Sequence, residues 1–74
     1  MKTQEIIDRI KARGGKMMYG EAKAILEHYG YELVKATACK NYFKKYGVAI
    51  EVAEKNPIDH DTMLKVLAVH FSEL

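Results

Sequence analysis

Apolar residues recur at helical spacing in two segments near the N-terminus. The first segment, residues 3–13, carries isoleucines on one face and ends at a pair of glycines, which favours a helix. The second runs from about residue 18 to residue 29, and Gly30 suits the left-handed position just past a helix end. The apolar stripes are Ile6, Ile7 and Ile10 in the first segment and Ala22, Ile25, Leu26 and Tyr29 in the second. The isoleucine stripe needs cover, and two arrangements stay open: it packs on the rest of the domain, or it contacts a second chain, as in a homodimer.

The hydrophobic period changes after Gly30. Residues 31–35 are rich in strand formers, residues 40–46 alternate bulky and polar side chains, and residues 48–53 alternate valine or isoleucine with small or charged residues. Gly47 between the last two segments indicates the turn of a β-hairpin. A final helix is expected after Asn56-Pro57, capped by Asp59 or Asp61. We expect its buried stripe to be Leu64, Leu67, Ala68 and Phe71.

The order helix, helix, three strands, helix predicts an α+β fold. Its simplest form is a three-stranded antiparallel sheet with the helices on one face and the other face open. Phe43 is the strongest core candidate in its strand, so alternation turns Lys40, Tyr42, Lys44 and Tyr46 outward together. Cations can neutralise phosphates and aromatic rings can stack on bases. The alternative is a solvated strand whose tyrosines cover aliphatic stems and whose lysines maintain solubility.

Length and composition narrow the classes of function. A chain of 74 residues, 49% hydrophobic and 30% charged, is typical of one globular domain, residues 1–74. Because it lacks an apolar run of about 18 residues and a signal peptide, we expect no membrane association and a cytoplasmic location. Cys39 is the single cysteine, and with the histidines it matches no zinc-site spacing, so neither a metal nor a cofactor is predicted. The net charge of +2 does not by itself indicate nucleic-acid binding.

Five short segments, in a fixed order along the sequence, carry a resemblance to a protein family. They are Y-G-Y-E-L-V-K at 29–35, A-C-K-N-Y-F-K at 38–44, the valine/isoleucine strand, Asn56-Pro57-Ile58, and M-L-K-V-L at 63–67. With this spacing, residues 18 to about 69 resemble the HicA family of bacterial and archaeal toxins, small mRNA interferases encoded beside HicB antitoxins. The resemblance implies a double-stranded-RNA-binding-domain-like α-β-β-β-α core over residues 18–74. Residues 1–15 are then an N-terminal helical extension, mRNA is the substrate, and a HicB-like antitoxin is the partner.

The chain departs from the family at the start of the second strand. The family typically has glycine, serine and histidine there, and the histidine is catalytic; this chain has Ala38, Cys39 and Lys40. A histidine can exchange a proton with a ribose hydroxyl near neutral pH, whereas a lysine, with an ordinary pKa of about 10.4, stays protonated. The resemblance therefore assigns the endoribonuclease position to Lys40, and the pKa mismatch predicts weak or lost cleavage.

Further residues complete the set of candidates. We predict RNA binding through Lys35, Lys40, Lys44 and Lys45, with Tyr42 or Tyr46 as a stacking platform; Lys35 and Lys45 are included by proximity alone. His28 and His70 are expected at least partly exposed on their helices, His60 could replace the missing histidine only if the fold brings it to Lys40, and Cys39 is either a small strand-start residue or a reactive thiol. A different class of function stays open: a small protein-interaction module that binds another protein through the sheet face or the isoleucine stripe.

Overall fold

Three helices and three strands follow each other in the order that the sequence predicts. The computed structural model describes residues 3–37 and 40–72. Its elements are α1 (Thr3–Ala12), α2 (Tyr19–His28), β1 (Glu32–Ala36), β2 (Lys40–Lys45), β3 (Val48–Ala53) and α3 (His60–Ser72). The α+β class is therefore confirmed, and the predicted element boundaries differ from these mostly by a single residue at each end.

The strands form one antiparallel sheet in the order β1-β2-β3. In the hairpin of β2 and β3, Phe43 lies opposite Ile50 and Lys45 opposite Val48. The two residues between the strands, Tyr46 and Gly47, have φ values of 49° and 81°. Two successive positive φ values identify a type I′ turn, whose twist matches that of the flanking strands. The predicted antiparallel pairing around Gly47 is thus confirmed.

One face of the sheet packs against the helices and forms the hydrophobic core. Phe43 and Val52 are fully buried at 0% exposure, and Ile50 lies beside them at 6%. All three helices contribute buried side chains to the same cluster, among them Ile25 of α2 and Val66 of α3. The placement of Phe43 on the inner face, from which the outward row on β2 was inferred, is confirmed.

The isoleucine stripe of α1 belongs to this core. Ile6, Ile7 and Ile10 are 1%, 5% and 4% exposed. Beyond the end of α1, Arg13 donates hydrogen bonds to both carboxylate oxygens of Glu21, at 2.6 and 3.1 Å. Of the two arrangements left open by the sequence, the structure shows the first: α1 packs on its own chain.

The buried face of α3 differs from the expected one. Leu64 and Phe71 are 49% and 59% exposed, and Ala68 is exposed as well. The buried residues are Met63, Val66, Val69 and His70. Both sets are spaced for one side of a helix and both are largely apolar, so periodicity alone did not distinguish them. Packing of α3 against α2 and β3 selects the face that contains Val66.

The predicted exposure of His70 was also wrong. It was expected to be partly exposed, but it is only 3% exposed. Its Nδ1 lies 2.7 Å from the hydroxyl of Tyr29, so the polar ring has a hydrogen-bond partner inside the fold. Within the described part of the chain, the helices are too short or too polar to cross a membrane.

Candidate nucleic-acid interface

The sheet face turned away from the helices carries most of the residues predicted to bind RNA. Directly opposed residues of antiparallel strands project to the same side, so the outward row of β2 brings its cross-strand neighbours with it. From β1, Glu32 lies opposite Lys44 and Lys35 lies opposite Tyr42. From β3, Glu51 also lies opposite Tyr42. We call this surface the open face; it consists of Glu32, Lys35, Lys40, Tyr42, Lys44, Ala49, Glu51 and Ala53.

A register shift in β1 places both Glu32 and Lys35 on the open face. They are three positions apart, which in a regular strand would put them on opposite faces. The pairing of β1 with β2 shifts between Leu33 and Lys35, so that Val34 is the extra residue. Such a bulge restores the later residues to the face that the earlier ones occupied. Lys35, included from the sequence by proximity alone, therefore does lie beside Tyr42.

The lysines of the open face are held differently. The ammonium of Lys35 lies 5.7 Å from the ring centroid of Tyr42. Lys40 Nζ is 2.6 Å from a carboxylate oxygen of Glu51, in a pair whose side chains are 50% and 44% exposed. Within residues 3–37 and 40–72, the ammonium of Lys44 makes no hydrogen bond, ion pair or ring contact. An exposed ion pair such as that of Lys40 contributes at most about 1 kcal/mol, so a phosphate group can displace it easily.

Lys45 is on the opposite side of the sheet from this group. Its side chain is half-buried, and its Nζ donates a hydrogen bond of 2.6 Å to the backbone carbonyl of Tyr29, just past the end of α2. The rings of Tyr31 and Tyr46 lie 5.9 and 5.6 Å from the same ammonium. Lys45 thus links the hairpin to α2, and it does not share the open face with Lys35, Lys40 and Lys44.

Tyr46 lies in the turn rather than in β2. Its side chain is 94% exposed, and its φ of 49° is the one positive value among the described residues other than glycine. The ring therefore stands at the tip of the hairpin, at the end of the row that begins with Lys40.

A cleft of about 440 Å³ opens at this end of the sheet. It is lined by Tyr29, Gly30, Glu32, Lys44, Lys45 and Tyr46. Glu32 and Lys44 belong both to the cleft and to the open face, so the two surfaces are continuous. Sequence reasoning missed Glu32, because its face depends on the bulge at Val34, for which the short β1 segment carries no signal.

A second cavity, of about 390 Å³, lies between α1 and α2. Apolar side chains such as Ile6 and Met18 line it, and the ion pair of Arg13 with Glu21 stands at its edge. Burial raises the pKa of Glu21, but the hydrogen bonds from Arg13 and from the Met18 backbone, with the charges of Arg13 and Arg9, outweigh it and leave the pKa below its usual value. This carboxylate is ionised and joins the first two helices.

The remaining candidates for catalysis are dispersed. Lys40 is exposed at the first position of β2, while Ala38 and Cys39 lie outside the described residues. His28 and His60 are exposed at the last residue of α2 and the first residue of α3. No group of three or more metal-ligating side chains occurs among the residues that the structure describes. The chain matches no family model, no curated protein and no solved structure.

Proposed function

We propose that this protein binds RNA through the open face, as a HicA-like toxin domain whose ribonuclease activity is weak or lost. The observation that carries the proposal is that Lys35, Lys40 and Lys44 share a sheet face with Tyr42, and that the residues of this face are exposed or half-buried. Three ammonium groups can neutralise consecutive phosphates, and the aromatic ring can stack on a base between them.

The sequence resemblance supports the same function. The segments that resemble HicA toxins include β1 and β2, which carry the cationic part of the open face, and the resemblance implies mRNA as substrate and a HicB-like antitoxin as partner. Lys40 occupies the position of the family's catalytic histidine. A lysine there can hold a phosphate or stabilise a developing negative charge, but it is a poor base near neutral pH. Binding with little cleavage follows from that chemistry.

The test is a salt titration of RNA binding. Fluorescence anisotropy of a labelled single-stranded RNA of mixed sequence is measured for the wild type and for Lys40→Ala/Lys44→Ala. Each lost phosphate contact should reduce the slope of log affinity against log salt by about 0.7–0.9, so the double variant should bind more weakly and with a flatter slope. Lys11→Ala/Lys65→Ala removes the same charge from exposed helix positions and is the matched control. Binding that is unchanged in the first double variant would exclude the open face.

A protein-interaction module is the second candidate. The isoleucine stripe is buried and offers no surface for it, but α3 exposes Leu64 and Phe71, which favours an apolar contact with another protein. The two functions respond differently to salt, because an apolar interface lacks the steep weakening that counterion release produces. Absence of RNA binding at low salt would favour this second candidate.

A further inference from the structure

The hairpin tip exposes an aromatic ring in a backbone conformation that tyrosine disfavours. Tyr46 has a φ of 49° and is 94% exposed, so its ring adds almost no buried area to the fold. The first central position of a type I′ turn is usually asparagine, aspartate or glycine, since these residues accept positive φ most readily. An observed outlier of this kind points to a role beyond folding.

The cleft beside this ring has the size and the chemistry for one nucleobase. Its volume of about 440 Å³ lies within the usual range for small-ligand sites, roughly 300–1,000 Å³. Lys45 stabilises the side of the cleft, because its ammonium donates a hydrogen bond to the Tyr29 carbonyl and lies 5.6 Å from the ring centroid of Tyr46. The other lining residues with side chains of suitable chemistry for a ligand are Tyr46, Glu32 and Lys44.

Glu32 contributes the one carboxylate among the described residues that line the cleft. Throughout residues 3–37 and 40–72 its carboxylate has no hydrogen-bond or ion-pair partner. An ionised carboxylate only accepts hydrogen bonds, through two adjacent oxygens. Guanine presents two adjacent donors, N1–H and the 2-amino group. Adenine and cytosine present one amino group beside an acceptor nitrogen, and the single N–H of uracil lies between two carbonyl oxygens.

We propose that this cleft binds one unpaired base of single-stranded RNA and prefers guanine, with uracil the least favoured. The base stacks on Tyr46, its N1–H and 2-amino group donate to the Glu32 carboxylate, and the adjoining phosphate contacts Lys44. The inference rests on the proposed function, because Glu32 and Lys44 are shared with the open face. It adds a base preference that the lysines alone cannot supply, since phosphate contacts carry no sequence information.

The experiment compares labelled oligouridines of about 12 nucleotides, within the span of known single-strand sites, by fluorescence anisotropy. One is uridine throughout, one has a single central guanosine, and one has inosine there, which lacks only the 2-amino group. The guanosine oligonucleotide should bind about tenfold more tightly than oligouridine, and inosine should lose most of that gain. Glu32→Gln should bring the ratio of guanosine to uridine affinity close to one, and Glu54→Gln, the same charge change beyond the end of β3, should preserve it. The ratio is measured because loss of a negative charge strengthens all RNA binding.

Stacking is tested separately. Tyr46→Ala should weaken binding of the guanosine oligonucleotide by about 5- to 100-fold, and Tyr46→Phe should retain it. If the wild type binds all three oligonucleotides equally, or if Glu32→Gln leaves the ratio unchanged, the base site is refuted while RNA binding by the open face stands. If none of the oligonucleotides binds, the proposed function and this inference both fail.

Discussion

Replacing Tyr46 by asparagine should stabilise the fold while it weakens RNA binding. The side chain is 94% exposed, so the ring contributes little to the free energy of folding. The backbone φ of 49° is unfavourable for tyrosine and destabilises the folded state. Asparagine followed by glycine is among the most favoured pairs for a type I′ turn, and Gly47 already occupies the second position. The variant changes neither strand and removes no core contact.

The magnitude follows from two opposing effects. A residue with a Cβ costs roughly 1–2 kcal/mol in the left-handed region, of which asparagine recovers about 1 kcal/mol. The ring of Tyr46 lies 5.6 Å from the ammonium of Lys45, and loss of this exposed cation–π contact costs about 0.5 kcal/mol. The net gain is about 0.5 kcal/mol, which corresponds to a rise in Tm of about 2–4 °C for a domain of this size.

Thermal unfolding followed by circular dichroism provides the assay, with Tyr46→Ala as the matched variant. Alanine also removes the ring but keeps a side chain that disfavours positive φ, so asparagine should melt about 4–8 °C above alanine. Tyr46→Phe keeps both the ring and the backbone cost and should melt close to the wild type. An asparagine variant that melts at or below the alanine variant would refute the argument that the backbone of Tyr46 is strained.

Three further predictions concern catalysis, the core and an ion pair. Lys40→His should increase the rate of cleavage of mixed-sequence single-stranded RNA by up to about 10²- to 10⁴-fold, and His60→Ala is measured beside it. Robust cleavage by the wild type that is lost in Lys40→Ala would show instead that the lysine itself supports catalysis. Ile6 is 1% exposed, so Ile6→Ala should lower the free energy of unfolding in urea by about 2–5 kcal/mol. Leu64 is 49% exposed, so Leu64→Ala should lower it by under about 1 kcal/mol. Equal losses in the two variants would contradict the burial of the α1 isoleucines. Glu21→Gln should cost about 1–2 kcal/mol at neutral pH. Because the pKa of Glu21 is lowered in the fold, this contribution is present above the ordinary carboxyl pKa of about 4.3 and is lost only as the pH falls below it; loss between pH 7 and pH 5 would contradict the ion pair.

The candidate site could be predicted from the sequence only in part. Alternation from Phe43 places Lys40, Tyr42 and Lys44 on one face because the period of a strand is a property of its own backbone. Glu32 and Lys35 could not be assigned in this way, since their shared face depends on an extra residue in β1. Lys44 and Lys45 are adjacent in sequence, yet Lys44 lies on the open face opposite Glu32, whereas the ammonium of Lys45 donates a hydrogen bond to the Tyr29 carbonyl.

The same division holds for the fold. The sequence alone determined the order and kind of the six elements and the hairpin at Gly47, because spacing and turn residues act within a few positions along the chain. Tertiary structure decided which face of α3 is buried. It also decided that the isoleucines of α1 are buried against the rest of the same chain, and that a cleft forms between β1, β2 and the end of α2. These outcomes depend on contacts between residues far apart in sequence, and for α3 two apolar faces compete for one site. Local periodicity is the same for both faces, so only the packing partner distinguishes them.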